Sequence, residues 1–392
     1  MSARLLADAR KMTDLADRIA LGRALFFDTS LSSPPGQSCA SCHSPAAAFS
    51  DPDHSRPVSM GAVPGRFGNR NAPAISYNAA ASRLGYDWVE KQFFGGLFLD
   101  GRSPDLPSQA AEPLLNPLEM NNSGRAEVAE KMLASDLFGE LLRLYPLDGT
   151  DLATLAAVRT GEEARAGDRY EALANALFVR VGRAIAAFEL SPEVNPRSSK
   201  FDAYLVGEAD LSEPEMRGMM LYFGQACCSE CHPSSSKRTE LADAAPRDRF
   251  GRPNIFTDFG HENIGIPRNP VLAGFDLQSP TGTVDPGLGK LMAVLGPGNA
   301  YYETGKFKAP TLRNIENTAP YGHNGYFSTL KEVVHFYNTR DVPDAGPRAG
   351  ERWPAPEFPH TMNRERMGNL KLTDAQEDDL VAFLRTLTDG YK

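Results

Sequence analysis

Cys39-Ala-Ser-Cys42-His43 recurs 189 residues later as Cys228-Ser-Glu-Cys231-His232, and the two copies hold four of the five cysteines. Two thiols about one helical turn apart can each form a thioether to a haem vinyl group, and the adjacent histidine then reaches the iron. C-x-x-C-H is the attachment signature of c-type haem. Zinc needs four ligands, and each cluster supplies at most three locally. A redox dithiol needs neither the histidine nor a second copy. The pattern therefore predicts two covalently bound haem c groups, one on Cys39, Cys42 and His43 and one on Cys228, Cys231 and His232. Cys227 is left over, and such bunching makes a poor disulfide framework.

Outward from the motifs, each is preceded by a helical segment ending in aromatics: Ile19-Ala-Leu-Gly22-Arg-Ala-Leu-Phe26-Phe27 and Gly218-Met-Met-Leu-Tyr222-Phe223. The second has a capping-box start at Ser212-x-x-Glu215. Another capping box, Thr373-x-x-Gln376, opens a last helix with Leu380, Val381, Phe383, Leu384 and Leu387 on one stripe. A closing amphipathic helix near the haem helix suits a cytochrome c-like domain. Strand signals are weak, and residues 190–200, with two prolines, read as a linker. The expected fold is mostly α: two cytochrome c-like haem domains with long loops, divided as 1–195 and 196–392.

The 392 residues suit two domains with real cores. The net charge of −9 argues against a nucleic-acid binder. No apolar run approaches the roughly 18 residues of a membrane span. Covalent haem c is assembled outside the bacterial cytoplasm, so the expected location is periplasmic. The first 22 residues contain no apolar signal core, so the sequence as given would be a mature or trimmed form.

Further stretches carry a resemblance: Asn71-Ala-Pro, Phe98-Leu-Asp-Gly-Arg102, Pro113-Leu-Leu-Asn-Pro-Leu-Glu119-Met, Asp258-Phe-Gly-His-Glu-Asn-Ile-Gly265, Ala309-Pro-Thr-Leu-Arg-Asn314 and Thr318-Ala-Pro-Tyr-Gly-His323-Asn-Gly. With the haem motifs, they make the chain resemble the bacterial dihaem cytochrome c peroxidase/MauG superfamily over nearly its whole length. The resemblance implies a peroxidatic haem in the N-terminal half, an electron-transfer haem in the C-terminal half, and a calcium ion between them. Glu119 matches the distal acid–base glutamate, with Gln109 and Pro113 as its pocket neighbours. Arg102 either orients haem propionates or pocket groups, or makes a structural salt bridge. Asn71 and the carbonyls of Thr318 and Pro320 match the calcium ligands.

The position 14 residues after His323, where ordinary dihaem peroxidases carry an axial methionine, is Tyr337. The MauG-like branch has tyrosine there. A phenolate favours ferric and higher oxidation states, whereas a thioether favours ferrous iron. His335 is the alternative ligand. His54 lies outside the stretch 65–71 where a blocking distal histidine is expected, and reads as a surface residue. That leaves the first haem five-coordinate.

Two positions depart from the pattern. Leu99 replaces the tryptophan usual between the haems, and Ala226 replaces the one that precedes the second motif in MauG. The leading expectation is a MauG-like enzyme that uses hydrogen peroxide to form high-valent haem and oxidise a residue of a periplasmic protein partner. The alternatives are a peroxidase drawing electrons from a small redox protein, and a plain electron carrier.

Overall fold

The structure, a computed structural model, describes residues 3–235, 254–274, 284–348 and 350–392. The fold is mostly α. The first half contains α1 (Ala3–Phe26), α2 (Leu106–Ala111), α3 (Arg125–Ala134), α4 (Phe138–Leu144), α5 (Gly149–Thr160) and α6 (Asp168–Glu189). The second contains α7 (Lys200–Val206), α8 (Glu213–Phe223), α9 (Leu288–Leu295), α10 (Ala300–Glu303), α11 (Leu330–Thr339) and α12 (Asp374–Arg385). Strand structure is limited to two small antiparallel pairs among the described residues: β1 (Gly85–Asp87) with β2 (Gln92–Phe94), and β3 (His261–Glu262) with β4 (Phe307–Lys308).

Each half is built on one helix crossing, made twice. In the first, α1 packs on α6; in the second, α8 packs on α12. A glycine sits at each crossing because nothing larger fits. A Cβ on Gly22 would lie 1.9 Å from the Ala184 carbonyl oxygen, and one on Gly218 would lie 1.9 Å from that of Asp379. An aromatic pair closes each crossing: Phe26 with Phe188 at 5.1 Å, and Tyr222 with Phe383 at 5.2 Å. These rings are fully buried, and burying a large apolar side chain contributes roughly 1.5–3 kcal/mol. The predicted capping boxes form at the starts of α8 and α12, where Ser212 N–H donates to Glu215 at 2.6 Å and Thr373 N–H to Gln376 at 2.9 Å. The buried residues gather into one large cluster from Leu21 to Val194 and another from Phe201 to Leu387, and a small third cluster packs Tyr77 of the first half with Ile255 and Phe259 of the second.

The crossings superpose in sequence as Gly22 with Gly218 and Phe188 with Phe383, which sets Glu189 against Leu384. Glu189 is 5% exposed, and its Oε2 has no hydrogen-bond partner. Burial alone pushes this carboxyl up to about 8. The folded state therefore holds the proton more tightly than the unfolded chain does. The stability tied to it is complete below the unfolded value near 4.5 and is lost as pH rises through about 8. Glu189→Gln is thus expected to match the wild type near pH 4 and to exceed it at pH 9 by on the order of 2–4 kcal/mol. Denaturant unfolding at the two pH values measures this. Equal differences at both would place the Glu189 charge in contact with solvent or a partner.

The halves are joined by hydrogen bonds and ion pairs. Tyr77 donates to Asp389 at 2.7 Å, and Asn71 N–H to the His323 carbonyl at 2.8 Å. Arg70 donates to both carboxylate oxygens of Asp285, at 2.7 and 2.8 Å, and to Asp100 at 2.7 Å.

Candidate active site

Each C-x-x-C-H motif wraps a single 3-10 turn, Cys39–Ser41 in one half and Cys228–Glu230 in the other. The turn brings the two thiols of each motif to one side, and His43 N–H and His232 N–H close it by donating to the carbonyls of Cys39 and Cys228, both at 2.9 Å. Burial pushes the Cys42, Cys228 and Cys231 thiols up to about 12 and Cys39 still further. These are not free nucleophiles at neutral pH.

The two histidines are held alike. His43 Nδ1 lies 3.3 Å from the Phe49 carbonyl oxygen, and His232 Nδ1 lies 2.8 Å from that of Phe256. The Pro73 and Pro310 carbonyls reinforce the two contacts. Both phenylalanines take a left-handed backbone, φ 60° and 55°, a conformation that costs a bulky residue of order 1 kcal/mol or more. Here it aims the carbonyl at the imidazole. A proton fixed on Nδ1 leaves the Nε2 lone pair for a metal. Burial lowers both histidines, His232 to about 4, which keeps them neutral as ligands must be.

In the C-terminal half a large cavity is lined by Cys228, Cys231, His232, Tyr337, Leu370 and Phe358, among others. Tyr337 comes from α11. Its phenol is held well above its ordinary value, first by burial and then by proximity to the Cys231 and Cys228 sulfurs. His335, two residues earlier, points elsewhere. Its Nδ1 meets Glu377 at 2.9 Å and its Nε2 meets the Gly346 carbonyl at 3.1 Å. With both nitrogens engaged, it has none for iron. Two thiols, a neutral imidazole, an apolar cavity and a phenol fit a covalently attached haem, which Cys228, Cys231 and His232 would hold.

In the N-terminal half, α2 and the turn after it carry Gln109, Pro113 and Glu119. Two hydrogen bonds lock this turn: Met120 N–H to the Pro113 carbonyl at 3.2 Å, and Ala62 N–H to that of Glu119 at 2.7 Å. The Glu119 carboxyl is close enough to Cys39 and Cys42 to perturb both thiols. Desolvation raises it to about 7, although Arg102 and a bond with Asn116 pull the other way. A carboxyl poised near neutrality can both accept and return a proton. Arg102 is half exposed. It donates to Asp100 at 2.9 and 3.0 Å and lies 3.5 Å above the Phe98 ring. The salt bridge and the pocket charge are therefore both present.

Of the seven histidines, five are occupied away from the haem motifs. His54 is exposed and bonds the Ala319 carbonyl at 2.6 Å. His261 is buried and bonds the Gly95 carbonyl at 2.9 Å. His323 lies 3.3 Å from Glu357 and stacks on Phe307. His335 is engaged as described, and His360 packs beside Phe358 and Tyr301.

Asn71, Thr318, Pro320, Leu99 and Ala226 all line the C-terminal cavity. The carbonyls of Phe49 and Phe256 were missed in the sequence. Their offsets from the motif histidines, 6 and 24 residues, share no spacing. The recurring Ala72-Pro73 and Ala309-Pro310 pairs were the visible trace of this arrangement.

A family model described as di-haem cytochrome c peroxidase matches residues 16–210. The chain is 35% identical over 381 residues to the methylamine utilization protein MauG of Paracoccus denitrificans, covering 94% of this chain and 88% of that protein. It is 28% identical to the cytochrome c551 peroxidase of Nitrosomonas europaea, covering 95% and 80%. Among solved structures, the diheme peroxidase BthA of Burkholderia thailandensis matches with a TM-score of 0.75 at 35% identity, covering 95% and 86%.

Proposed function

Because the chain belongs to the di-haem cytochrome c peroxidase family, an oxidoreductase family acting on peroxide, we propose that it is a MauG-like member that spends peroxide on oxidising a residue of a protein partner. The observation that carries this reading is Tyr337, which lines one cavity with His232 while His335 is engaged elsewhere. An anionic phenolate oxygen stabilises oxidised iron. The two haem units are residues 1–195 and 196–392, each cytochrome c-like. Covalent haem attachment, a reaction carried out outside the bacterial cytoplasm, supports a periplasmic location.

When bound, the haem of the first half supplies the iron at which the O–O bond breaks. Glu119 removes a proton from the incoming peroxide and returns it to the departing oxygen. Gln109 orients the peroxide, Pro113 narrows the space left for water, and Arg102 supplies positive charge beside the carboxylate. His43 and His232, with Nδ1 engaged, would hold their groups through Nε2. Each peroxide takes two electrons and two protons and leaves two waters. Asn71 and the carbonyls of Thr318 and Pro320 form a set of neutral oxygen donors, which suits a hard cation such as calcium. A second reading, reduction of peroxide with electrons from a small redox protein, is favoured by the relative named cytochrome c551 peroxidase.

A pyridine haemochrome assay tests the foundation. Two haems per chain are expected, one after Cys39→Ser with Cys42→Ser, and two after Cys227→Ser. One haem in the unaltered protein would overturn the two-site reading. The protein-oxidising role is tested by adding peroxide to fully oxidised enzyme without any donor. Both haem spectra should change at once, whereas a conventional peroxidase needs one electron first.

A further inference from the structure

One wall of the C-terminal cavity reaches the surface through aromatic rings. Phe358 lines the cavity, and its carbonyl is pinned by Asn263 Nδ2 at 2.8 Å. Tyr301, on α10, packs edge-on against Phe358 with ring centroids 5.9 Å apart. His360 lies 5.8 Å from Tyr301 and 5.3 Å from Phe358. Thr361 donates to the Thr304 carbonyl at 2.6 Å and clamps the two segments together. On the outside, Tyr302 meets Tyr301 at 5.8 Å. Tyr301 is 54% exposed, Tyr302 67%, and Val294 and Leu295 on the adjoining α9 are 80% and 68%. So many large apolar side chains on one exposed helix pair mark a contact surface rather than a solvated one.

The geometry points to Tyr301, whose exposed phenol can give its proton to solvent, as the surface end of the electron route into the C-terminal cavity. The partner it serves is a protein that gives up electrons one at a time and presents an apolar rim. Phenol is the oxidisable group in this chain of rings. Phe358 only shortens the gap between Tyr301 and the cavity. In each half-turn Tyr301 loses one electron inward across Phe358, and its phenolic proton passes to solvent. The partner then returns an electron and solvent returns the proton, so Tyr301 ends unchanged. Two such transfers supply the two electrons that one peroxide consumes, and solvent supplies the two protons that end in water. Trp88 is more exposed, at 83%. Its stack on Tyr86 and then Phe93, at 4.8 and 4.9 Å, lies outside the cavity wall.

This inference rests on the peroxide chemistry proposed above, and the test separates the two. The two-haem protein is mixed with peroxide in the fully oxidised state without donor. Electron spin resonance and peptide mass mapping then follow radical and oxidised side chains. Turnover is measured with reduced mitochondrial cytochrome c and with ferrocyanide, a donor small enough to bypass a protein-docking surface. Tyr301→Phe should lose the tyrosyl signal and the oxidation products at 301–302. It should slow cytochrome oxidation by about tenfold or more while leaving ferrocyanide turnover unchanged. A tyrosyl signal and cytochrome rate unchanged in Tyr301→Phe overturn the route, as does their loss in Trp88→Phe instead. An unaltered protein that consumes no peroxide even with ferrocyanide overturns the function and the route together.

Discussion

Exchange of Glu119 for glutamine is expected to leave both haems attached and to slow peroxide cleavage by about 10²–10⁴-fold, the usual contribution of a positioned acid–base group. Glutamine keeps the size and the hydrogen-bonding capacity but cannot take a proton. The wild-type carboxyl, held at about 7 by desolvation, is the active base only when ionised. Cleavage in the wild type should therefore rise with pH up to about 7 and level off above it, whereas the glutamine variant should be flat and low. Arg102 opposes the desolvation, so Arg102→Leu should move the wild-type inflection to higher pH. Single-turnover mixing over pH 5–9 reads both effects. A loss of only a few-fold in Glu119→Gln would transfer the proton to water.

Changing Tyr337 to methionine should have the second largest effect. A thioether in place of phenolate is soft and neutral, and it favours reduced iron. The potential of the second haem should rise by on the order of 10² mV, within the roughly 0.8 V that axial ligands span. The fully oxidised variant should then lose its direct response to peroxide and regain reactivity after uptake of one electron. A redox titration with rapid-mixing spectra measures both. An unchanged low-spin resonance in the variant would remove Tyr337 from the iron. Since His335 has both nitrogens committed, the ligand would then have to come from another part of the cavity wall.

How much was legible depended on how local the chemistry is. Thioether attachment needs two thiols and a histidine within five residues, so Cys39–His43 and Cys228–His232 were readable at sight. The helix crossings were half readable: the stripe and capping box of α12 announce a packed helix, but only coordinates reveal that Gly22 and Gly218 are excluded from growing a Cβ by a carbonyl. Tyr337 and His335 could not be separated by register alone, because two residues on one helix differ in direction only once its neighbours are placed. Glu189 looks in sequence like any acidic residue near a helix end. Its isolation, buried with Oε2 unpartnered, is a property of the packed structure. The left-handed Phe49 and Phe256 carry no residue-type signal, since aromatic side chains are not what that backbone favours.

Arg70 has consequences for how such proteins can be recombined. Its side chain is 12% exposed and joins Asp100 of its own half to Asp285 of the other. Separating the halves near residue 195 would leave the Asp285 carboxylate without its guanidinium and Arg70 with Asp100 alone, and removing one member of a buried pair typically costs about 3–5 kcal/mol. The halves are therefore poor interchangeable modules, despite being built on the same crossing. A chimera that borrows its second half from a relative inherits a working junction only if the donor supplies an acid opposite Arg70. A substitution at this junction in one half is therefore felt in the other.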